Sequence, residues 1–143
     1  MTDRSKADVQ DIVRAKQFEL VDDQGRMRAK LRMTDDEPAL ALVNATGKLA
    51  MLLSATSQGP ALFLYDADEN TRACLSIVED CVALELADAN EVLRARLTMD
   101  TDGNPVLDLF DAAGKPRAAL GVFRGQPFLE LFDSKGELLW SAP

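Results

Sequence analysis

The sequence contains a repeat of 22 residues, which limits the folds that the chain can adopt. A segment of the form apolar-x-Leu-x-Asp/Asn occurs six times, and its last residue is termed the anchor. Successive anchors lie 22 residues apart, except for one interval of 23 residues; they are Asp22, Asn44, Asp66, Asp88, Asp111 and Asp133. A fixed period of this length is typical of folds that stack one supersecondary unit many times.

Each unit contains two segments in which residues alternate between apolar and polar types or between large and small ones. This period of two predicts strands. Three residues after the anchor, four units have Gly, which closes a hairpin turn at positive φ, whereas units three and four have Glu69 and Glu91. We expect those two turns to need a different and looser geometry. The pattern predicts an all-β fold of six tandem 22-residue β-hairpins, about twelve antiparallel strands, over residues 17–143.

Residues 1–16 precede the repeat and are predicted to form a separate arm. Two readings stay open for this segment. Residues 7–16 place Val9, Ile12 and Val13 on one helical stripe, which predicts a short helix. Alternatively, residues 12–22 form one long extended strand.

Strand alternation divides the side chains between two faces. The leucine face carries the repeated leucines and alanines, together with Met33, Ala55, Ile77, Met99 and Val122. We expect this face to be the core. The mixed face carries basic residues on second strands and acidic residues on first strands. Opposite charges on neighbouring strands predict cross-strand pairs, each worth about 0.2–1 kcal/mol.

The mixed face also has apolar positions. Its aromatic residues are the candidate interface: Phe63, Tyr65, Phe110, Phe128 and Phe132. Exposed apolar patches of this kind mark surfaces that another chain or layer covers. A closed sheet of about eight strands is filled by its own side chains, so twelve strands would enclose a hole. The chain is therefore expected to fold over as a sandwich, close as a β-trefoil does, hold a ligand, or pack against sister subunits. A uniform repeat favours the last arrangement.

Three turn segments share an aromatic-Asp core, at residues 65–69, 110–115 and 132–137. They resemble the aromatic-Asp-x-x-Gly-basic core of YD (RHS) repeats, two-stranded units that build β-sheet shells, although the Arg-Tyr pair that precedes the core in that family is absent. From Phe18 onward the chain is more similar to uncharacterised bacterial proteins with tandem Leu-x-Leu-x-Asp-x-x-Gly-Lys-x-Arg-Ala-x-Leu units, best matched by residues 107–120. The resemblance implies the tandem-hairpin architecture and no activity.

Composition excludes several function classes. The chain has no His, which removes Ser-His, Cys-His and His-zinc mechanisms, and its net charge of −8 argues against nucleic-acid binding. The polar N-terminus has no signal-peptide pattern, and no apolar run is long enough to span a membrane, so we expect a cytoplasmic protein without membrane insertion. If Glu79 and Asp80 form a two-residue turn, Cys74 lies opposite Glu85 and out of register with Cys81, which predicts two reduced thiols.

The anchors offer a ring of oxygen ligands that would suit calcium, but capping of each turn by its own anchor explains the spacing without a metal. We therefore predict no catalytic residue, no cofactor and no metal site. The favoured function is a non-catalytic structural or protein-interaction subunit that forms a homo-oligomer or larger protein assembly through apolar sheet faces. The alternative is a monomeric β-trefoil-like or barrel module that binds a carbohydrate or a small apolar ligand.

Overall fold

The computed structural model describes residues 12–143, and this part of the chain is all-β, as predicted. Twelve strands form six consecutive hairpins. The strands are β1 (Gln17–Val21), β2 (Met27–Thr34), β3 (Glu37–Val43), β4 (Leu49–Thr56), β5 (Gly59–Tyr65), β6 (Thr71–Val78), β7 (Cys81–Ala87), β8 (Leu93–Met99), β9 (Pro105–Phe110), β10 (Pro116–Phe123), β11 (Gln126–Phe132) and β12 (Leu138–Ala142).

All twelve strands belong to one antiparallel sheet whose strand order follows the sequence from β1 to β12. The sheet is open, and β1 and β12 are its two edges. The sequence left four arrangements open, and two of them, a sandwich and a β-trefoil, do not form within the described residues. Turns of two to five residues join only strands that are neighbours in the sheet, and β1 does not pair with β12, so the described sheet is a single layer that does not close on itself.

The segment before the repeat differs from both expectations in the part that is described. Residues 12–16 form neither helix nor strand, and the sheet begins at Gln17, which pairs with Arg32. A strand from Ile12 would run past Thr34, the end of β2, and would find no partner there. The remainder of the predicted helix, residues 7–11, lies outside the described residues.

Six turns lie at one end of the strands, and this side of the sheet is termed the anchor edge. In each of them the anchor's Oδ1 accepts the backbone N–H groups two and four residues further on; for Asp111 these are Ala113 at 2.8 Å and Lys115 at 3.0 Å. The anchors thus cap their own turns. At the other end of the strands the turns have two residues, except for the turn at residues 100–104. There Asp100 Oδ1 accepts the N–H groups two and four residues further on, as the anchors do. This longer turn accounts for the one 23-residue interval.

The turns of units three and four keep the common geometry, contrary to expectation. Glu69 and Glu91 adopt φ of 67° and 59°, in the region that the glycines occupy elsewhere, and the same backbone bonds close the turns. Each glutamate side chain has a compensating bond: Glu69 Oε1 accepts the N–H of Leu49 at 2.8 Å, and Glu91 Oε1 accepts that of Thr71 at 3.0 Å. These bonds tie each hairpin to the preceding one.

The leucine face is not a core within the single chain, which corrects the expectation from the sequence. In the described residues the buried hydrophobic set consists of Ala119 alone, and Ala119 lies on the mixed face. Most of its leucines stay open to solvent, with Leu75 47% and Leu120 51% exposed, and the others, such as Leu62 and Leu107, are half-buried. A one-layer sheet leaves this face uncovered because no other part of residues 12–143 packs on it.

Candidate interaction surface

Strand register arranges the leucine face in three rows that run across the sheet. In the first row, termed the alternating row, a leucine on the first strand of each hairpin alternates with an alanine, a methionine or a tryptophan on the second strand. The row consists of Leu20, Ala29, Leu42, Met51, Leu64, Ala73, Leu86, Ala95, Leu109, Ala118, Leu131 and Trp140. The repeat itself creates this row, because each cross-strand step joins equivalent positions of the unit.

The second row, termed the leucine row, is almost uniform: Phe18, Leu31, Leu40, Leu53, Leu62, Leu75, Leu84, Leu97, Leu107, Leu120, Leu129 and Ala142. The third, the rim row, lies near the two-residue turns: Met33, Pro38, Ala55, Pro60, Ile77, Val82, Met99, Pro105, Val122 and Pro127. The three rows contain no charged side chain.

The leucine face is large for an uncovered apolar surface. Twelve strands about 4.8 Å apart and three rows of alternate residues span about 55 Å by 20 Å, or about 1,100 Å² in projection. Monomeric soluble proteins rarely expose a contiguous apolar patch of more than a few hundred Å². Most of the exposed large hydrophobic residues of the described chain belong to these rows.

Two open depressions lie on the leucine face. An open depression of about 260 Å³ lies between Leu75, Leu84 and Leu97, and one of about 210 Å³ lies beside Leu53 and Leu62. Both are shallow gaps between leucine side chains. They fit side chains from a facing surface better than an enclosed small molecule.

The five aromatic residues of the candidate interface do not form one patch. Phe63 and Tyr65 stack on β5 with ring centroids 6.3 Å apart, whereas Phe110 lies four strands away on β9. Phe128 and Phe132 are on β11. The charged residues of β6 to β8 separate the two groups. All five rings are half-buried against the sheet that carries them.

Neighbouring side chains account for this partial burial. The Arg96 guanidinium lies 5.7 Å from the Phe110 ring centroid. The Phe128 ring lies over Gly121, so close that an added Cβ at Gly121 would be 2.7 Å from the ring. The mixed face therefore covers part of its own apolar area, although its Phe123 stays 52% exposed.

Charged pairs on the mixed face follow the predicted register. Lys30 lies 3.1 Å from Glu19, and Arg96 lies 3.0 Å from Asp108. Arg28, six residues after its anchor, bonds the Asp22 carboxylate at 2.7 Å and also donates to the backbone carbonyl of Asn44 in the next hairpin at 2.6 Å. Such arginines fasten neighbouring hairpins at the anchor edge.

Turn capping shifts the titration of the anchors. Backbone N–H groups of Lys115 and Ala113, with Arg117, hold the pKa of Asp111 below its ordinary value of 3.8. The N–H donors of Asn90 and Val92 lower the pKa of Asp88 in the same way. These carboxylates accept hydrogen bonds from the backbone of their own turns. In residues 12–143 no three Asp, Glu or Cys side chains converge as a metal site would require.

The two cysteines lie in the predicted register, with Cys74 opposite Glu85 and Cys81 opposite Val78, and both are free thiols. Partial burial raises the pKa of the Cys74 thiol. Cys74, Arg72 and Glu85 line an open depression of about 370 Å³ on the mixed face. The described residues include no helix that would span a membrane.

Comparison with protein-family models and with curated proteins finds no match for this chain. The surface residues are therefore interpreted from their geometry alone. Sequence reasoning grouped the leucines on one face correctly but assigned that face to the interior. The short connections within the repeat were a partial signal, because turns of two to five residues between consecutive strands favour one continuous sheet over two packed layers.

Proposed function

We propose that this chain is a non-catalytic structural or protein-interaction subunit that assembles with copies of itself through its leucine face. One observation carries the proposal: three apolar rows without a charged side chain run across all or nearly all of the twelve strands, and within the described part of the chain nothing packs on them. Burial of apolar area is the main driving force for folding and for most protein association.

The size of the face supports a stable assembly. Its projected area of about 1,100 Å² exceeds the roughly 800 Å² that each partner buries in a standard protein interface. Single-layer sheets expose both faces, so a chain of this design gains its missing apolar burial from a neighbour. Because the repeat is uniform, each hairpin would bury a similar apolar area against the neighbouring chain.

The charge distribution supports a second copy as the partner. The chain carries a net charge of −8, and this charge lies outside the three rows. Two copies can therefore meet on this face without desolvating an ionised group, which would cost several kcal/mol per ion. The charged pairs of the mixed face would stay in solvent.

Paired substitutions on one strand test the proposal by measuring mass in solution. Leu97→Asp places a carboxylate in the leucine row, whereas Thr98→Asp places the same residue on the mixed face, next in sequence on β8. We expect wild type and Thr98→Asp to have a mass of at least two chains of 15.6 kDa, and Leu97→Asp to fall to one chain or to lose its fold.

The outcomes separate the two functional hypotheses. Equal masses for all three proteins above one chain would contradict assembly through the leucine face. A folded wild-type monomer at micromolar concentration would contradict self-assembly, and it would favour the alternative of a monomeric module that binds a carbohydrate or a small apolar ligand. Titration of that monomer with an apolar fluorescent probe would then test the depressions between the leucines.

A further inference from the structure

The alternating row makes the leucine face complementary to itself. Leucines at Leu64, Leu86 and Leu109 project as knobs, and the alanines between them, Ala73 and Ala95, leave gaps. The pattern repeats every two strands, or about 9.6 Å. A second row of the same kind fits such a surface when it is displaced by one strand, because its knobs then face the gaps.

A two-fold axis supplies this displacement without any offset of the sheets. When a copy is turned by 180° about an axis parallel to the strands, the strand order of its alternating row is reversed. The row keeps its position along the strand direction, so the two rows face each other. The sheet of residues 17–142 has an even number of strands, so full overlap sets each first strand of a hairpin against a second strand of the other copy. Each row leucine then faces a second-strand residue, which is an alanine in most units.

We propose that two copies form a two-fold dimer whose leucine faces interdigitate along the alternating row, with the axis between β6 and β7. This rests on the proposed function and adds the stoichiometry, the symmetry and the register. In this arrangement Ala95 faces Leu64 of the second copy and Ala73 faces Leu86 of the second copy. Such an isologous interface closes at two subunits.

The exceptions in the row are compatible with this register. Met51 faces Leu109 of the second copy, and an unbranched methionine adapts to an irregular gap. Trp140, at the end of the row, faces Leu20 of the second copy near the edge of the sheet. Sheet twist displaces facing strands most at the ends of the stack, so the pairs close to the axis give the sharpest test.

The test uses Ala95 and Leu64 because they lie on β8 and β5 and are not neighbours within one sheet. Ala95→Leu fills the gap, and we expect the dimer dissociation constant measured by sedimentation equilibrium to rise at least tenfold. Adding Leu64→Ala exchanges knob and gap across the interface, and we expect the double variant to recover most of the lost affinity. Ala83→Leu, the same change on the mixed face, should leave the constant unchanged.

Each result has a distinct meaning. A wild-type mass of three or more chains, or a dimer that Ala95→Leu does not weaken, would overturn the interdigitated dimer while leaving assembly through the leucine face intact. Loss of affinity in Ala95→Leu without rescue by Leu64→Ala, or with equal rescue by Leu42→Ala, would overturn the proposed register. A wild-type monomer would overturn both this inference and the proposed function.

Discussion

The two faces of the sheet are built on the same backbone, yet their large side chains are covered to different extents. On the mixed face, long side chains lie across their neighbours: Arg96 reaches the Phe110 ring, and Phe128 covers Gly121. On the leucine face, short branched side chains leave Leu75 and Leu97 each 47% exposed. A face of arginines, glutamates and aromatics can be half-buried in one layer, whereas a face of leucines needs a second layer.

This difference also divides the sources of stability. The mixed face and the anchor edge hold the hairpins in register through charged pairs, caps and side-chain bonds between hairpins. These interactions are directional and local, and most of them are exposed. The leucine face supplies the apolar area, and that area contributes to stability only once it is removed from water.

The largest expected effect separates the two faces directly. Leu75→Ala shortens a leucine-row side chain in the middle of the sheet, and Phe63→Ala removes an aromatic ring from the mixed face. In the assembled protein we expect Leu75→Ala to lower the free energy of unfolding by about 2–5 kcal/mol per chain and Phe63→Ala by clearly less, because only the leucine would be fully covered. Denaturant unfolding measures both. The reverse order would place the interface on the aromatic residues.

Acid should weaken the turns rather than the leucine face. Six turn-capping aspartates have a pKa below the ordinary value of 3.8: Asp22, Asp66, Asp88, Asp100, Asp111 and Asp133. A pKa lowered by folding contributes stability above the ordinary value, and this contribution is lost as pH falls through the folded-state pKa. We expect thermal unfolding midpoints to be flat from pH 5 to 7 and to fall below about pH 4.

Replacement of single anchors provides the control for this acid effect. Asp111→Asn removes one titrating carboxylate but keeps a side-chain oxygen for the turn, as Asn44 does in unit two. Its unfolding midpoint should therefore fall less between pH 5 and 3 than that of the wild type. An identical acid response in wild type and Asp111→Asn would show that Asp111 contributes nothing to it.

Gly121→Ala should break the self-coverage of the mixed face. An added Cβ would lie 2.6 Å from the backbone oxygen of Pro105 and 2.7 Å from the Phe128 ring. Such overpacking costs about 1–3 kcal/mol, measurable by denaturant unfolding. Adding Phe128→Ala removes the clash with the ring but not the clash with the backbone, so the cost of Gly121→Ala in the Phe128→Ala background is the backbone's share. The ring's share is the cost of Gly121→Ala in wild type minus that value. A neutral Gly121→Ala would contradict the tight contact.

The smallest effect concerns the turns with glutamate at positive φ. Glu69→Ala loses the side-chain bond to Leu49 and keeps the strained backbone, so we expect it to destabilise the protein by about 1 kcal/mol. Glu69→Gly loses the same bond but relieves the strain, and it should lie within about 0.5 kcal/mol of wild type. Equal losses in both variants would show that backbone strain at this position is negligible.

The sequence predicted the hairpins well because their information is local. The 22-residue period placed all six anchor turns, and alternation from Glu79 and Asp80 gave the register of Cys74 with Glu85. It also predicted which residues share a face. Whether that face is covered depends on what packs above it, and alternation carries no information on this. The leucine face was therefore assigned to a core that the single chain does not form.

The turn details were missed for a different reason. Glu69 and Glu91 lack the conformational freedom of glycine, so residue type alone predicted another geometry for their turns. The compensating bonds to Leu49 and Thr71 come from the neighbouring hairpin, 20 residues away in sequence. Such contacts become visible only after the strands are placed side by side.

The solvent access of leucine methyl groups shows whether a second copy covers the leucine face. A soluble paramagnetic agent enhances the relaxation of exposed methyls, and Leu52 on the mixed face provides an internal reference. If the face is covered, the methyls of Leu75 and Leu97 will be relaxed less than those of Leu52. Stronger relaxation at Leu75 and Leu97 than at Leu52, as their exposure in the single chain implies, would contradict the account.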